Sequence, residues 1–596
     1  MQSLLLLAAG LVGGTTPVLA TDPPPIEVQE TLVVTASAEP QPPRRLVTAV
    51  DVIPAAEIAQ RQAGELLDLL ATVPGLTVLQ SGSPGKAASV FTRGSNSNHT
   101  LFLWNGIELN DPVLGGFDAA FLPADGVERV EVVRGPYSAL WGSQAMGGVI
   151  QVLTRSEPGT TLRLEAGDAG YARGGLTAGW RPSEAVTFDL LGHVRQGDGE
   201  LDNDFYYGGE LAVKLDWRPR EDLSVGLLAR GGDATIGVPF DFSGQPSPRR
   251  EQQRRSTELA VPLDWQRSSW SLAGRLLGAS TDLEFRDPGD AFAASRTETE
   301  RAGARVVVTH HFHPGLWAAV GGDWERESAT TTSAFGPGLR DDRARTWSAF
   351  GALHRATERW SVELGVRRDE HDAFGGETTA KFGAAVVLGN VRLRGSWGQG
   401  FRAPSLGDLY FPGFGNPDLR PETSESFELG GEFERGSFTY GLSLFDNQQD
   451  DLVVFDFVRG IPINVGRAES RGVETEARFT RPRWSVRLNG TFQEAQNRDT
   501  GEPLLRRPEQ SGNLIASFRA TERVTAYGVV RHVGARPDFG AELPSFTTLT
   551  LGAGWQASDR LEPFARVENL LDREYEEVAG FPAPGRTVVG GLAVRF

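Results

Sequence analysis

From about Thr160 to Phe596 the chain alternates apolar and polar residues one by one. In WSVELGVRR, Trp360, Val362, Leu364 and Val366 fall on one face, and Ser361, Glu363, Gly365 and Arg367 on the other. WSVRLNGTF repeats the pattern, with Trp484, Val486, Leu488 and Phe492 opposite Ser485, Arg487, Asn489 and Thr491. VRLRGSW sets Val391, Leu393 and Trp397 against Arg392, Arg394 and Ser396. A period of two belongs to β-strands with one apolar and one polar face. Short polar turns punctuate the pattern at Arg181-Pro182, Arg218-Pro219, Pro314-Gly315, Thr357-Glu358, Arg481-Pro482, Thr521-Glu522 and Ser558-Asp559. They recur at roughly 36 to 44 residues or near multiples of that, room for two strands, one short turn and one longer loop, the hairpin rhythm of an outer-membrane barrel. About 440 residues at about 40 per hairpin gives about 11 hairpins, or roughly 22 strands, a size class whose lumen is plugged.

A soluble propeller has a similar period, but it needs four short strands per repeat and a blade signature that is absent here. Trp360, Trp484 and Trp555 sit beside short turns, where an interfacial girdle belongs. The last strand, RTVVGGLAVRF, alternates Val588, Leu592, Val594 and Phe596 and suits barrel closure. Beyond the N-terminus there is no run long and apolar enough for a transmembrane helix, so any membrane crossing is by strands.

The N-terminus, MQSLLLLAAGLVGGTTPVLA, holds an apolar stretch from Leu4 to Val12 and a small-residue cleavage site at Val18-Leu19-Ala20. It is expected to be a cleaved export signal over residues 1–20, although no Lys or Arg precedes the apolar stretch. Residues 21–45 are expected to be a tether. Residues 46–155 read as a small α+β domain: a helical patch in AGELLDLLATVPG, a type I′ hairpin at Asn105-Gly106, and a strand–loop–strand from Glu128 to Arg155. Residues 156–596 are the expected barrel.

Acidic residues number 77 against 59 basic ones, a formal charge of −18 that argues against nucleic-acid binding. There are no cysteines, which excludes disulfides, thiolate metal sites and cysteine nucleophiles. No nucleophile motif has supporting context, so an enzyme is not expected. The Gly-rich GSQAMGG lacks the order of a dinucleotide-binding turn, and the histidines of THHFHP abut the turn at Pro314-Gly315 as a solvated group.

The blocks LLDLLATVPGLTV, TRGSNSNHTLFLWNGIELND and RVEVVRGPYSALWGSQAMGGVIQVLTR resemble the plug of TonB-dependent outer-membrane receptors. FRAPSLGDLY, NPDLRPETSESFELG, VENLLDREYE and the terminal Phe596 resemble landmarks of the same family's barrel. Within it, SVFTRGSNSNHTLFLWNGIELN, GFGNPDLRPE and EPLLRRPEQ resemble the cobalamin-receptor subfamily, with ferric-siderophore receptors as the alternative. The resemblance implies a monomer in the outer membrane, the plug in the barrel lumen, and active transport of a corrinoid energised by the periplasmic protein TonB. A competing expectation from another class is a passive pore or adhesin.

Three groups of residues follow. ETLVVTAS, between proline-rich flanks, is expected to be the TonB box: Glu30, Thr31, Leu32, Val33, Val34, Thr35 and Ala36 would add as a strand to TonB, Thr31, Val33 and Thr35 facing one way. The flanking prolines are expected to keep it available and to stop a sheet from growing on it. The distance from Ala20 to Glu30 is short, so an extra N-terminal signalling domain is not expected. The plug apex is expected to offer Ser81, Ser83, Asn110, Leu114, Gly116 and Phe117 to substrate. In GDGELDNDF and the next loop, Asp198, Glu200, Asp202, Asp204, Asp233 and Asp241 are candidate calcium ligands, because hard cations take several carboxylate oxygens and the resemblance implies calcium-ordered outer loops. The alternative for that cluster is a solvated acidic loop.

Overall fold

The computed structural model describes residues 32–241, 244–289, 294–333, 336–456 and 459–596. The expected export signal, Glu30 and Thr31 lie outside the described residues. Twenty-two antiparallel strands close into a barrel, from β8 (Gly159–Gly167) and β9 (Ala172–Ser183) to the last strand, Thr587–Arg595. Sequence neighbours pair around the ring. The last strand pairs on one side with Leu561–Glu568 and on the other with β8, Val589 opposite Gly167 and Arg595 opposite Thr161. Closure leaves no strand edge in lipid.

The alternation works in the inverse sense to a soluble sheet. In the strand Trp360–His371 the apolar Leu364 and Val366 are 44% and 51% exposed, while Ser361, Glu363 and Arg367 are 3%, 6% and 4% exposed. The polar face is therefore the buried one, turned into a filled lumen. Exposed Trp180, Trp217, Trp270, Trp360, Trp484 and Trp555 stand at strand ends beside the short turns. An apolar outer band with an aromatic rim is the surface that a bilayer requires.

The filling is the N-terminal domain. Its central sheet has the order β1 (Val50–Pro54), β6 (Val127–Arg134), β7 (Gly148–Thr154), β4 (Thr100–Trp104), β5 (Ile107–Glu108). A separate two-stranded sheet joins β2 (Leu76–Gln80) to β3 (Ala88–Thr92). Asn105 and Gly106 both have positive φ, 47° and 79°, as a type I′ turn between β4 and β5 demands. Helix α1 (Ala55–Gln60) and helix α2 (Leu66–Leu70) pack Ile58, Leu66, Leu69 and Leu70 onto Val130, Val132 and Ile150. This core runs on into the wall at Leu191, Ala212, Leu228 and Ala260, so plug and barrel share apolar packing. Helix α3 (Ser138–Trp141) lies against the wall strands Trp360–His371, Gly375–Leu388 and Val391–Arg402.

Candidate functional site

Plug and wall are also joined by buried charge. Arg93, fully buried with φ 48°, sends Nε and Nη2 to Glu474 at 2.8 and 2.9 Å and Nη1 to Glu428 at 2.7 Å. Arg134 bridges Glu474 and Asp51, each at 2.5 Å, and Arg487 reaches Asp51 at 3.3 Å. The Arg93 guanidinium also lies over the Phe445 ring at 4.8 Å. Burial opposes the charge on Arg93, but the two carboxylates outweigh it and hold its pKa above the ordinary value. Burial pushes the Asp51 carboxyl up against the pull of Arg134. Further pairs fix other sectors: Glu65 with Arg195, Asp125 with Arg173, and Glu108 with Arg301. Each pair contributes little net stability but is costly to halve.

At the long-loop end, the loop from Asn110 to Phe117 bonds to itself. Asp111 Oδ1 accepts from Val113 N at 2.8 Å and Leu114 N at 2.9 Å, and Gly115 N donates to Asp111 O at 2.8 Å. This turn lifts Leu114 clear of the plug, 67% exposed. Leu406 N, which opens helix α4 (Leu406–Tyr410) of the loop after Arg402, donates to Pro112 O at 3.0 Å. Beneath it, His99 Nδ1 accepts from Asn96 N at 3.2 Å, so Nε2 carries the proton toward Glu422 at 2.9 Å. Arg402 joins Glu422 to Asp408 at 2.9 and 2.8 Å. Burial holds the His99 pKa below its ordinary value, against the pull of Glu422.

Of the expected apex residues, Leu114 is exposed, and Ser81 and Gly116 are half-buried. Asn110 is consumed structurally: its Oδ1 accepts from Phe102 N at 2.8 Å and its Nδ2 donates to Thr100 O at 3.0 Å. Phe117 is a core residue, its ring 5.1 Å from that of Phe102. Ser83 is fully buried and donates to Asp204 Oδ2 at 2.6 Å. Their polar or aromatic groups complete the plug before any ligand arrives.

The acidic candidates do not converge. Asp198, Glu200 and Asp202 are exposed, and Asp204 is buried against Lys86 at 3.2 Å. Asp233 faces outward and pairs with Arg255 at 2.9 Å. Asp241 turns its own loop, accepting from Gln245 N at 2.9 Å. Among the described residues no three His, Cys, Asp or Glu side chains stand together as a metal-holding group.

The described part of the expected box, Leu32 to Ala36, departs from its expected display. Val33 and Gln41 exchange main-chain bonds at 2.8 and 3.0 Å. The fully buried Glu131 carboxylate accepts from Val34 N at 3.0 Å, Thr35 N at 2.9 Å and Thr35 Oγ1 at 2.5 Å. Trp141 Nε1 donates to Thr35 O at 2.9 Å, and Arg129 Nη2 donates to Leu32 O at 3.1 Å. Val33 and Thr35 face inward while Leu32 is exposed, as alternation requires, but Ala36 is buried too. The segment is stowed on the plug because its free N–H groups find a carboxylate there. Arg93, Glu428, Glu474, Lys86 and Glu131 escaped the sequence reading; the only signal was charge at alternate positions on inward strand faces and in a plug loop.

Comparison with known proteins agrees with this architecture. Residues 194–570 match the family described as TonB dependent receptor-like, beta-barrel, and residues 42–149 match the TonB-dependent Receptor Plug Domain. The Vitamin B12 transporter BtuB of Vibrio vulnificus (strain YJ016) is 27% identical over 594 residues, covering 96% of this chain and 95% of its own. The protein of the same name from Photobacterium profundum is 26% identical, covering 92% of each. Among solved structures, the siderophore receptor PirA of Acinetobacter baumannii superposes with a TM-score of 0.79 at 18% identity, over 92% of this chain and 98% of that one. The ferric enterobactin receptor of Pseudomonas aeruginosa gives 0.80 at 19% identity, over 95% and 100%. A closed barrel filled by a charge-locked plug and matched over both of its parts leads to one assignment: the chain belongs to the TonB-dependent receptors, non-catalytic transporters of the bacterial outer membrane.

Proposed function

We propose that the cargo is cobalamin or a related corrinoid. The observation that carries this reading is near-full-length similarity, at 26–28% identity, to relatives named as vitamin B12 transporters. The solved neighbours named for siderophores stand at 16–20% identity and share the fold. In this reading residues 30–36 are the TonB box and add as a strand to the periplasmic partner.

Equilibrium titration of the purified receptor with cyanocobalamin and with a ferric siderophore tests the cargo. Saturable corrinoid binding without siderophore binding is the expected result. Siderophore binding alone would replace this reading with the alternative.

A further inference from the structure

The chain is acidic overall, with a formal charge of −18, yet three neighbouring short turns are basic. They close the strands Glu422–Arg435, Ile461–Arg481 and Gln510–Arg519. Between them they carry Arg435, Arg481, Arg483, Arg519 and Arg523 against two carboxylates, Glu434 and Glu522. All five arginines are exposed. Main-chain bonds tie the turns into one arc: Thr480 N donates to Ser437 O at 2.9 Å, and Arg519 N donates to Arg483 O at 2.6 Å. Farther along the same hairpin, arginine is paired: Arg471 with Glu494, and Arg478 and Arg487 with Glu476. The five turn arginines make no ion pair among the described residues.

The arc borders the lipid-facing surface. Arg435 stands opposite Phe438, and Arg481 opposite Trp484, which in turn stands opposite Phe518. All three aromatic residues are exposed on the outer wall. Paired residues share a face, so Arg435 and Arg481 point outward with them. The Arg481 guanidinium lies over the Phe479 ring at 5.1 Å, and that ring meets Trp484 at 4.9 Å. Stacking holds the planar fork against the aromatic rim and leaves its N–H edges for another partner. In an outer-membrane barrel the short turns face the periplasm and the aromatic rim sits at headgroup level. Residues just beyond the rim therefore stand among lipid phosphates. We propose that this arc is a binding surface for the phosphodiester headgroups of anionic phospholipids in the periplasmic leaflet. Guanidinium forks match phosphate oxygens bidentately. Adjacent turns of the arc are two strands, or roughly 10 Å, apart, so long side chains from both can meet at one headgroup. A lipid fits better than a soluble periplasmic protein, because the arginines flank outward aromatic rings. The role is independent of which cargo the receptor carries.

The test is native mass spectrometry of the full-length receptor in detergent, titrated with phosphatidylglycerol or with phosphatidylcholine of the same acyl chains. The wild type is expected to retain phosphatidylglycerol in preference. Arg481→Gln/Arg483→Gln/Arg519→Gln should weaken phosphatidylglycerol binding by at least about tenfold, since each arginine near anionic lipid adds to the attraction, and should leave phosphatidylcholine binding unchanged. Arg249→Gln/Arg340→Gln/Arg573→Gln, which removes three exposed arginines from the outer loops, should keep the wild-type preference. An excess of inorganic phosphate should leave the bound lipid in place. Equal retention of the two lipids by the wild type overturns the proposal. So does an unchanged preference in the arc variant, an equal loss in the outer-loop variant, or displacement of the lipid by inorganic phosphate. Arg481→Gln/Arg483→Gln, with the same direction expected, stands in if the triple variant does not assemble.

Discussion

At the scale of single residues, Arg93 and His99 show how a plug can be both firmly seated and sensitive to its surroundings. Arg93 supplies a bidentate bond to Glu474 and a third bond to Glu428. Arg93→Ala leaves both carboxylates buried. Arg134 still faces Glu474 and Arg394 still faces Glu428, so the loss is expected at the low end for a broken buried pair, about 3 kcal/mol. Hydrogen exchange of the β3 amides should accelerate by roughly a hundredfold, as that energy implies if exchange follows local opening. His99 titrates in the opposite sense to a salt-bridge gain. Its folded pKa lies below the ordinary 6.5, so below that pH the unfolded segment binds more protons than the folded one. Stability of the apex is therefore unaffected above pH 6.5 and falls as the pH drops below it. Exchange protection of residues 96–102 should decline on acidification through that window, and His99→Gln should flatten the decline. Unchanged protection in the wild type would remove His99 from this role.

At the scale of elements, the stowed segment from Leu32 to Ala36, expected to be part of a TonB box, is the clearest case of structure revising an expected display. An unpaired strand former beside prolines is legible in the sequence, but its resting partner is not. Glu131 lies about a hundred residues away and binds the same N–H groups that a partner strand would need. Glu131→Ala removes a hydrogen bond network to a charged acceptor, worth about 1.5–3 kcal/mol. Binding of an isolated periplasmic domain of TonB, measured without cargo, is expected to tighten by roughly tenfold or more. Val33→Pro removes the donor to Gln41 and disturbs the extended backbone. Uptake should be lost while surface binding of cargo is retained; undiminished uptake would argue for a passive route.

At the scale of the whole molecule, the barrel closes only through its last strand. Deleting residues 587–596 leaves Leu561–Glu568 and β8 with open edges, which lipid cannot satisfy. No heat-modifiable barrel is expected on gel electrophoresis of membranes carrying that truncation. The sequence by itself determined the wall: a period of two, a hairpin every roughly 40 residues and a closing strand follow from local alternation and turn chemistry. It also determined the β4–β5 turn, because Asn105-Gly106 is a backbone preference read over a few residues. What only the tertiary structure decided is which polar groups meet. Arg93 and Glu474 are 381 residues apart, and Ser83 and Asp204 are 121 apart. The pattern states that Glu474 points into the lumen, since alternation fixes a face. It cannot state what stands opposite, because that depends on how the plug is rotated inside a closed ring. Ser83 and Asp204 were expected separately, as a ligand contact and a metal ligand. Burial in one interface made them partners of each other, with Lys86 supplying the positive charge between the loops.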